Sequence, residues 1–387
     1  MGDGSSTGNP RRGTDHWDVV ATRPAMPVPA RPTALLVGVT YVGHASRFAT
    51  LEGLIRCDPR LEARFARITG WRDGGLLERI PFVPRRVLGR MRALGEASAL
   101  GWQRSDVAWT SAGTLALPHL ATGPRSRRPL VIDLDWTVAQ QEAMAPWYYS
   151  RPPRTGSTLS RALGRERALF ARAKVITAWS TWAAAGVVDA GVDPARVVVI
   201  PPGVELDRWL LPNRKPGLDG PLRLLFVGGD FERKGGNFLL DLLRTRFHET
   251  CMLDIVTRDE SVMPSDNVRV HRATPNSPEL LRLFEAADLF VMPSQAEAFG
   301  IAYLEAMASG LPVVAGDSGG VRDIVEDGVT GWVVRPTIEA LGAALDRALD
   351  CRAGLPALGR AGRARAERRF DARECARQVA DTLLGLA

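Results

Sequence analysis

Short, fully apolar runs alternate with longer segments of helical period along most of the chain. That is the pattern of buried parallel strands joined by helices. Two strand-to-helix openings stand out. The first runs from an apolar strand at Ala34–Val37 through a glycine-bearing turn, YVGHAS (41–46), into a helical pattern ending near Ile55. The second runs from a strand at Leu222–Val227 through the Gly228–Gly229 turn and a polar loop into a helix beginning near Gly236. Further strands are expected at 174–180 and 196–204, and then at 253–257, 288–294, 312–316 and 331–334, with helices over 279–287 and 301–309. Two separate openings imply two doubly wound sheets rather than one.

The punctuation divides the chain accordingly. Pro201–Pro202–Gly203 breaks regular structure and prolines continue to Pro216, placing the interdomain linker at about 203–220. The expected units are a flexible polar tail (1–30), a first Rossmann-like domain (31–203) and a second (204–365). A closing amphipathic helix (366–387) follows, packed on the core. In open α/β sheets ligands bind at the carboxyl ends of strands near a switch in strand order, so the cleft between the sheets is the expected site.

Composition narrows the class. A chain of 387 residues exceeds one ordinary core, and 45% hydrophobic with 24% charged residues is normal for a globular protein. No apolar run is long enough to cross a bilayer, and the N-terminal stretch has no apolar core of a secretory signal. Cys57, Cys251, Cys351 and Cys375 are widely separated, without zinc-site spacing, so reduced and mostly buried thiols are expected. Together these predict a cytoplasmic protein. The net charge of +7 is carried almost wholly by Arg, Lys occurring only at 174, 215 and 234. There is no contiguous basic stripe with interleaved aromatics, so no nucleic-acid partner is expected.

The most informative stretch is MPSQAEAFGIAYLEAMASGLPVVAGDSGG (292–320). Glu297 and Glu305 lie eight residues apart across a loop-to-helix junction. Phe299 and Gly300 mark the helix start, while Gly310 and Pro312 mark its end. Free N–H groups around Ile301 and Ala302 would hold an anion through the helix dipole. Carboxylates beside that anion suit hydroxyl-rich groups, a sugar and a ribose, better than phosphate.

This segment resembles the E-x7-E signature of the group-one (family four) retaining glycosyltransferases, which have the GT-B fold. The resemblance covers most of 170–335 and little of the first 150 residues. It implies an α/β architecture of two Rossmann-like doubly wound parallel-sheet domains facing a central cleft. It further implies that Glu297 binds donor-sugar hydroxyls, Glu305 the ribose, and the N–H groups near Ile301 and Ala302 the diphosphate of a nucleotide-sugar. Retention of anomeric configuration, without metal or other cofactor, belongs to the same expectation.

The loop FVGGDFERKGG (226–236) matches the family pattern at Gly228 and at Lys234–Gly235. Gly229 stands where the family has an arginine, and Arg233 is the candidate to supply that charge. Two cations at a diphosphate would stabilise the leaving group in place of a metal ion.

On the acceptor side, Gly43 would allow close approach to the donor, and His44 is the next polar candidate. Asp133 and Asp135 follow a strand in VIDLDWT (131–137), Asp135 being the candidate to orient or deprotonate an acceptor hydroxyl. The same Asp-x-Asp opens a rival reading, a metal-dependent glycosyltransferase with both carboxylates on Mg or Mn. A sugar phosphorylase or a non-catalytic nucleotide-binding protein could also be built on this scaffold. The stretch 63–94 mixes Arg with Trp71 and Phe82. It reads either as a solvated helical surface or as a basic face for peripheral contact with anionic membrane. Acceptors in view are a glycan, a lipid-linked intermediate or a small natural product.

Overall fold

A computed structural model describes residues 31–39, 42–69, 85–98, 105–111, 128–211 and 219–387, together with positions 1, 75, 79, 80, 83 and 100. Apart from position 1, the expected tail (1–30) lies outside the described residues, as does most of the turn between Val39 and Gly43. Pro32–Ala387 form one compact unit holding two six-stranded parallel sheets with helices between the strands.

The first sheet contains β1 (Thr33–Val39), β2 (Glu62–Ile68), β3 (Val107–Ser111), β4 (Leu130–Leu134), β5 (Val175–Ala178) and β6 (Val197–Val199), in the order β2-β1-β3-β4-β5-β6. The second contains β7 (Leu222–Val227), β8 (Cys251–Val256), β9 (Val268–His271), β10 (Leu289–Met292), β11 (Val313–Gly316) and β12 (Gly331–Val334), in the order β12-β11-β10-β7-β8-β9. Read from β9, the second is the doubly wound dinucleotide order, with its switch point between β7 and β10. Both sheets are Rossmann-like, as the alternating pattern predicts.

Every residue of β4, β10 and β11 is buried, because helices cover both faces; β10 and β11 are wholly apolar, and β4 carries one charged residue, Asp133. By contrast β2, EARFARI, is a sheet-edge strand buried fully only at Ile68. The stretch 63–94 is therefore not one helical surface. Its start belongs to this strand and its end to the helix Arg85–Ser98, while Trp71 and Phe82 lie outside the described residues.

The closing segment is also divided. One helix ends at Arg369 and a second runs Ala372–Leu384. Between them Val204 and Asp371 form a bridge, and the Ala372 N–H donates to the Val204 carbonyl at 3.1 Å. The last helix then returns to the first lobe, where Cys375, Val379 and Leu383 join the core around Leu36 and Trp109. A side chain on Gly203 would sit 2.2 Å from the Ala372 Cα, so that crossing requires glycine. Among the thiols, Cys251 and Cys375 are buried, burial pushing each up to about 11. Cys57 is exposed and Cys351 half-buried, so the thiols are less uniformly buried than expected. Among the described residues no helix is long and apolar enough to cross a membrane.

Candidate active site

The loops after β7 and β10 rise side by side at the switch point of the second sheet. Gly228 ends β7, and a Cβ there would lie 2.5 Å from the Lys234 Cδ. Its bareness lets the lysine fold back across the strand end. Gly235 turns the chain at φ +77°, and its close approach to the Pro293 carbonyl brings the two loops together.

Lys234 Nζ consequently lies 3.1 Å from Glu297 Oε2, and Arg233 Nη1 lies 3.7 Å from the same oxygen. The Arg233 guanidinium also donates to Asp230 (2.8 Å) and to the Ala296 carbonyl (2.6 Å). Gly229 is exposed with open space around it, so no cation occupies that position.

The helix Ile301–Ala308 begins at Gly300, whose φ of +96° excludes most side chains. Tyr303 donates its hydroxyl to the Met292 carbonyl at 2.7 Å, fixing the helix to the end of β10. No side chain caps the N-terminus, and among the described residues the Ile301 and Ala302 N–H groups make no hydrogen bond. These free donors can take an anion. At the other end Gly310 (φ +73°) donates to the Met307 carbonyl and Leu311 to the Ala306 carbonyl, the double closure expected of Gly-then-Pro punctuation.

Glu305 sits one turn into this helix. Its carboxyl is held up at about 7 by desolvation, which the nearby Lys234 charge only partly opposes. Among the described residues that carboxyl makes no hydrogen bond, which leaves it able to accept from a ligand hydroxyl. Glu297 is 9% exposed, and its N–H donates to Ser318 Oγ at 3.0 Å. Phe299 is buried, its ring edge-on to Trp179 from the first lobe at 6.0 Å.

The first lobe brings its own pair to the cleft. His44 Nε2 lies 3.2 Å from Asp135 Oδ1, and the ring packs 4.8 Å from Trp179. Burial pulls the His44 pKa down, but the Asp135 charge and hydrogen bond outweigh it, so the net shift is upward. Its Nδ1 is buried without a partner among the described residues. Gly43 is exposed in the first turn of the helix Val42–Ile55, not in a loop, and nothing lies within 4 Å of where its side chain would be.

Asp133 departs from expectation. It is fully buried rather than at the cleft edge, because Arg47 reaches it bidentately at 2.9 and 2.7 Å. Thr177 (2.8 Å) and Trp179 Nε1 (2.7 Å) occupy its remaining acceptor positions. Its acceptor positions are thus taken up by protein donors.

The contacts that join the lobes were not foreseen from the sequence. Tyr148, from the helix Ala145–Tyr149 of the first lobe, lies flat against Arg233, with the guanidinium carbon 4.1 Å from the ring centroid. The Ala298 N–H donates to its hydroxyl at 3.4 Å. Thr181 binds Asp323 through its backbone N–H and, at 2.7 Å, its hydroxyl. Only the aromatic run in APWYY could have drawn attention to Tyr148.

Known families agree with this arrangement. The model of Glycosyltransferase Family 4 matches residues 54–208, and that of Glycosyl transferases group 1 matches residues 213–365. The chain belongs to the group 1, family 4 glycosyltransferases. Glycogen synthase of Mycobacterium tuberculosis is 34% identical over 202 residues, 49% of each chain. D-inositol 3-phosphate glycosyltransferase of Geodermatophilus obscurus is 29% identical over 285 residues, 67% of this chain and 60% of that one. The chain thus spans about half the length of the curated relatives it matches. Among solved structures, Anabaena HepE in complex with UDP and glucose aligns over 92% of this chain and all of its own, with TM-score 0.67 and 18% identity. Sucrose-phosphate synthase from Thermosynechococcus elongatus aligns over 92% of this chain and 99% of its own, with TM-score 0.72 and 20% identity. The GT-B architecture expected of this glycosyltransferase family is therefore the architecture of the chain.

Proposed function

We propose that this family member transfers a sugar, with retention and without a metal ion, from a nucleoside diphosphate-sugar to an acceptor hydroxyl. The observation that carries the proposal is the convergence of Lys234, Glu297 and the uncapped helix at Gly300 on the β7/β10 switch point. A cation and free N–H groups suit a diphosphate, and carboxylates at its flanks suit hydroxyls. Relatives named as glycosyltransferases, and a neighbour that binds UDP and glucose, support it.

In this reading the diphosphate rests on the Ile301 and Ala302 N–H groups, facing Lys234. Arg233, stacked beneath Tyr148, adds positive potential in place of the loop arginine. Glu305 accepts from the ribose and Glu297 from the donor sugar. The acceptor hydroxyl, oriented by Asp135 and His44, attacks the anomeric carbon on the face that the diphosphate leaves. The anomeric C–O bond to phosphate breaks as the new glycosidic bond forms. The hydroxyl proton passes to the departing phosphate oxygen, which releases nucleoside diphosphate. No carboxylate becomes covalently attached, unlike the double displacement of retaining hydrolases. The acceptor is a hydroxyl compound of the glycan, lipid-linked or small-molecule kind, and the reaction is cytoplasmic.

A thermal-shift panel of nucleoside diphosphates and their sugar conjugates tests the donor half, since a ligand of the native state raises its melting temperature. At least one diphosphate should raise it, and a flat response across the panel would sink the proposal. A glycosyl adduct trapped on Glu297 would overturn the front-face mechanism.

A further inference from the structure

Behind Asp135 the chain builds a wall of rings. Trp136 and Tyr148 meet edge to face at 4.7 Å, and Tyr148 and Tyr149 follow at 6.2 Å. A capping box between Thr137 and Gln140 fixes the start of this segment. Tyr148 is committed to Arg233 and Ala298. Tyr149 is not: it is 46% exposed although its position is fixed. Gln141 donates to its hydroxyl at 2.8 Å, and the Arg151 guanidinium lies 5.2 Å from its ring centre. Arg151 is itself locked to Glu142 at 2.8 and 2.9 Å. Ser150, next in the chain, adopts a left-handed φ of +47°.

Holding an aromatic ring still while leaving it in water forgoes the gain of burying it. An ordered ring that keeps this much of its surface exposed beside polar groups offers that surface to a ligand. The Tyr149 phenol is raised by burial, an effect that the Arg151 charge opposes.

We infer that Tyr149, backed by Tyr148 and Trp136, is the ring platform of an acceptor subsite, and that its ligand presents the C–H face of a pyranose or cyclitol. The carbon-bound hydrogens of such a ring carry slight positive charge and complement the negative aromatic face. The ring's hydroxyls then extend toward Asp135. This inference rests on the proposed function, since the acceptor is what the first lobe would hold.

The test uses the full chain. UDP, ADP and GDP are ranked by the rise in melting temperature, and the protein is loaded with the best. It is then titrated with methyl α-glucopyranoside, methyl α-galactopyranoside, methyl α-mannopyranoside and myo-inositol, followed by saturation-transfer difference NMR. At least one ring should bind through its C–H protons. Tyr149→Ala should weaken that binding at least tenfold, Tyr149→Phe less than about twofold, and neither should change diphosphate affinity. Failure of all four rings to bind wild type overturns the inference. So does unchanged binding by Tyr149→Ala, or equal damage by Phe and Ala. If no diphosphate raises the melting temperature, it is the donor reading that has failed, and the ring titrations are then judged by the same criteria on unloaded protein.

Discussion

Lys234 Nζ and Glu297 Oε2 meet at 3.1 Å although 63 residues separate them, one on the loop after β7 and the other on the loop after β10. Neither group is surplus to the other. The ammonium neutralises a nearly buried carboxylate, and the carboxylate holds the ammonium over the strand ends where a diphosphate would lie.

Lys234→Ala should therefore lose a charge-assisted contact to the nucleotide, worth about 1.5–3 kcal/mol. That is roughly a ten- to hundredfold weaker diphosphate affinity by calorimetry. Lys234→Arg should recover part of the loss. Unchanged affinity in the alanine variant would remove the lysine from the donor site.

The second lobe is far more legible in sequence than the first, and the reason is physical. Its sheet is covered on both faces, so β10 and β11 appear as uninterrupted apolar runs and β7 is broken only by Arg223. Its ligand loops sit next to those runs, and glycines at 228, 300 and 310 mark the turns directly. In the first lobe β2 alternates Arg with apolar residues because it is an edge, and β3 ends in Thr110 and Ser111. Neither carries a run long enough to stand out. Asp133 misled for another reason: its partner Arg47 is 86 residues away, and nothing local distinguishes a buried acceptor from one at the cleft. Tyr148 likewise gains its meaning only from Arg233, across the cleft.

The His44–Asp135 pair predicts a pH signature. Asp135, with a smaller contribution from the Asp133 charge, raises the His44 pKa against the opposing pull of burial. Native protein then binds the proton more tightly than unfolded chain. The associated stability is complete below the unfolded His pKa and is lost as pH rises through the native one. Asp135→Asn should lower the His44 pKa, read by NMR titration of the imidazole. Where activity requires neutral His44, its ascending limb should move to lower pH. An unshifted titration would show that the pair is not coupled.

Glu305 gives the opposite trade. Its carboxyl is raised to about 7 by desolvation, so the native state binds a proton that the unfolded chain releases near the ordinary Glu value of 4.5. Stability falls as pH rises between those two values and levels off above the upper one. Glu305→Gln removes that penalty and should gain on the order of 1–3 kcal/mol at pH 8, and much less at pH 5. The same variant should bind nucleoside diphosphate more weakly, because an amide is a poorer acceptor for a ribose hydroxyl than a carboxylate. Denaturant unfolding at the two pH values, with calorimetry of the nucleotide, checks both halves. Equal stabilisation at both pH values would show that the carboxyl is not desolvated as described.

Arg47 and Asp133 are 4% and 0% exposed, and their bidentate pair lies under the side of the cleft that carries His44. Arg47→Met leaves a buried carboxylate facing only Thr177 and Trp179, which should cost about 3–5 kcal/mol. Arg47→Met/Asp133→Leu removes both charges and should lose less than the single variant, since no uncompensated ion remains. The two unfolding midpoints compared with wild type decide the matter. Trp179 adds a second readout, because its indole donates to Asp133 and its ring touches both His44 and Phe299. Loss of Asp133 should therefore shift the His44 resonance as well as the midpoint. A double variant as unstable as the single one, with His44 unmoved, would mean that the pair serves packing alone and does not position the cleft histidine.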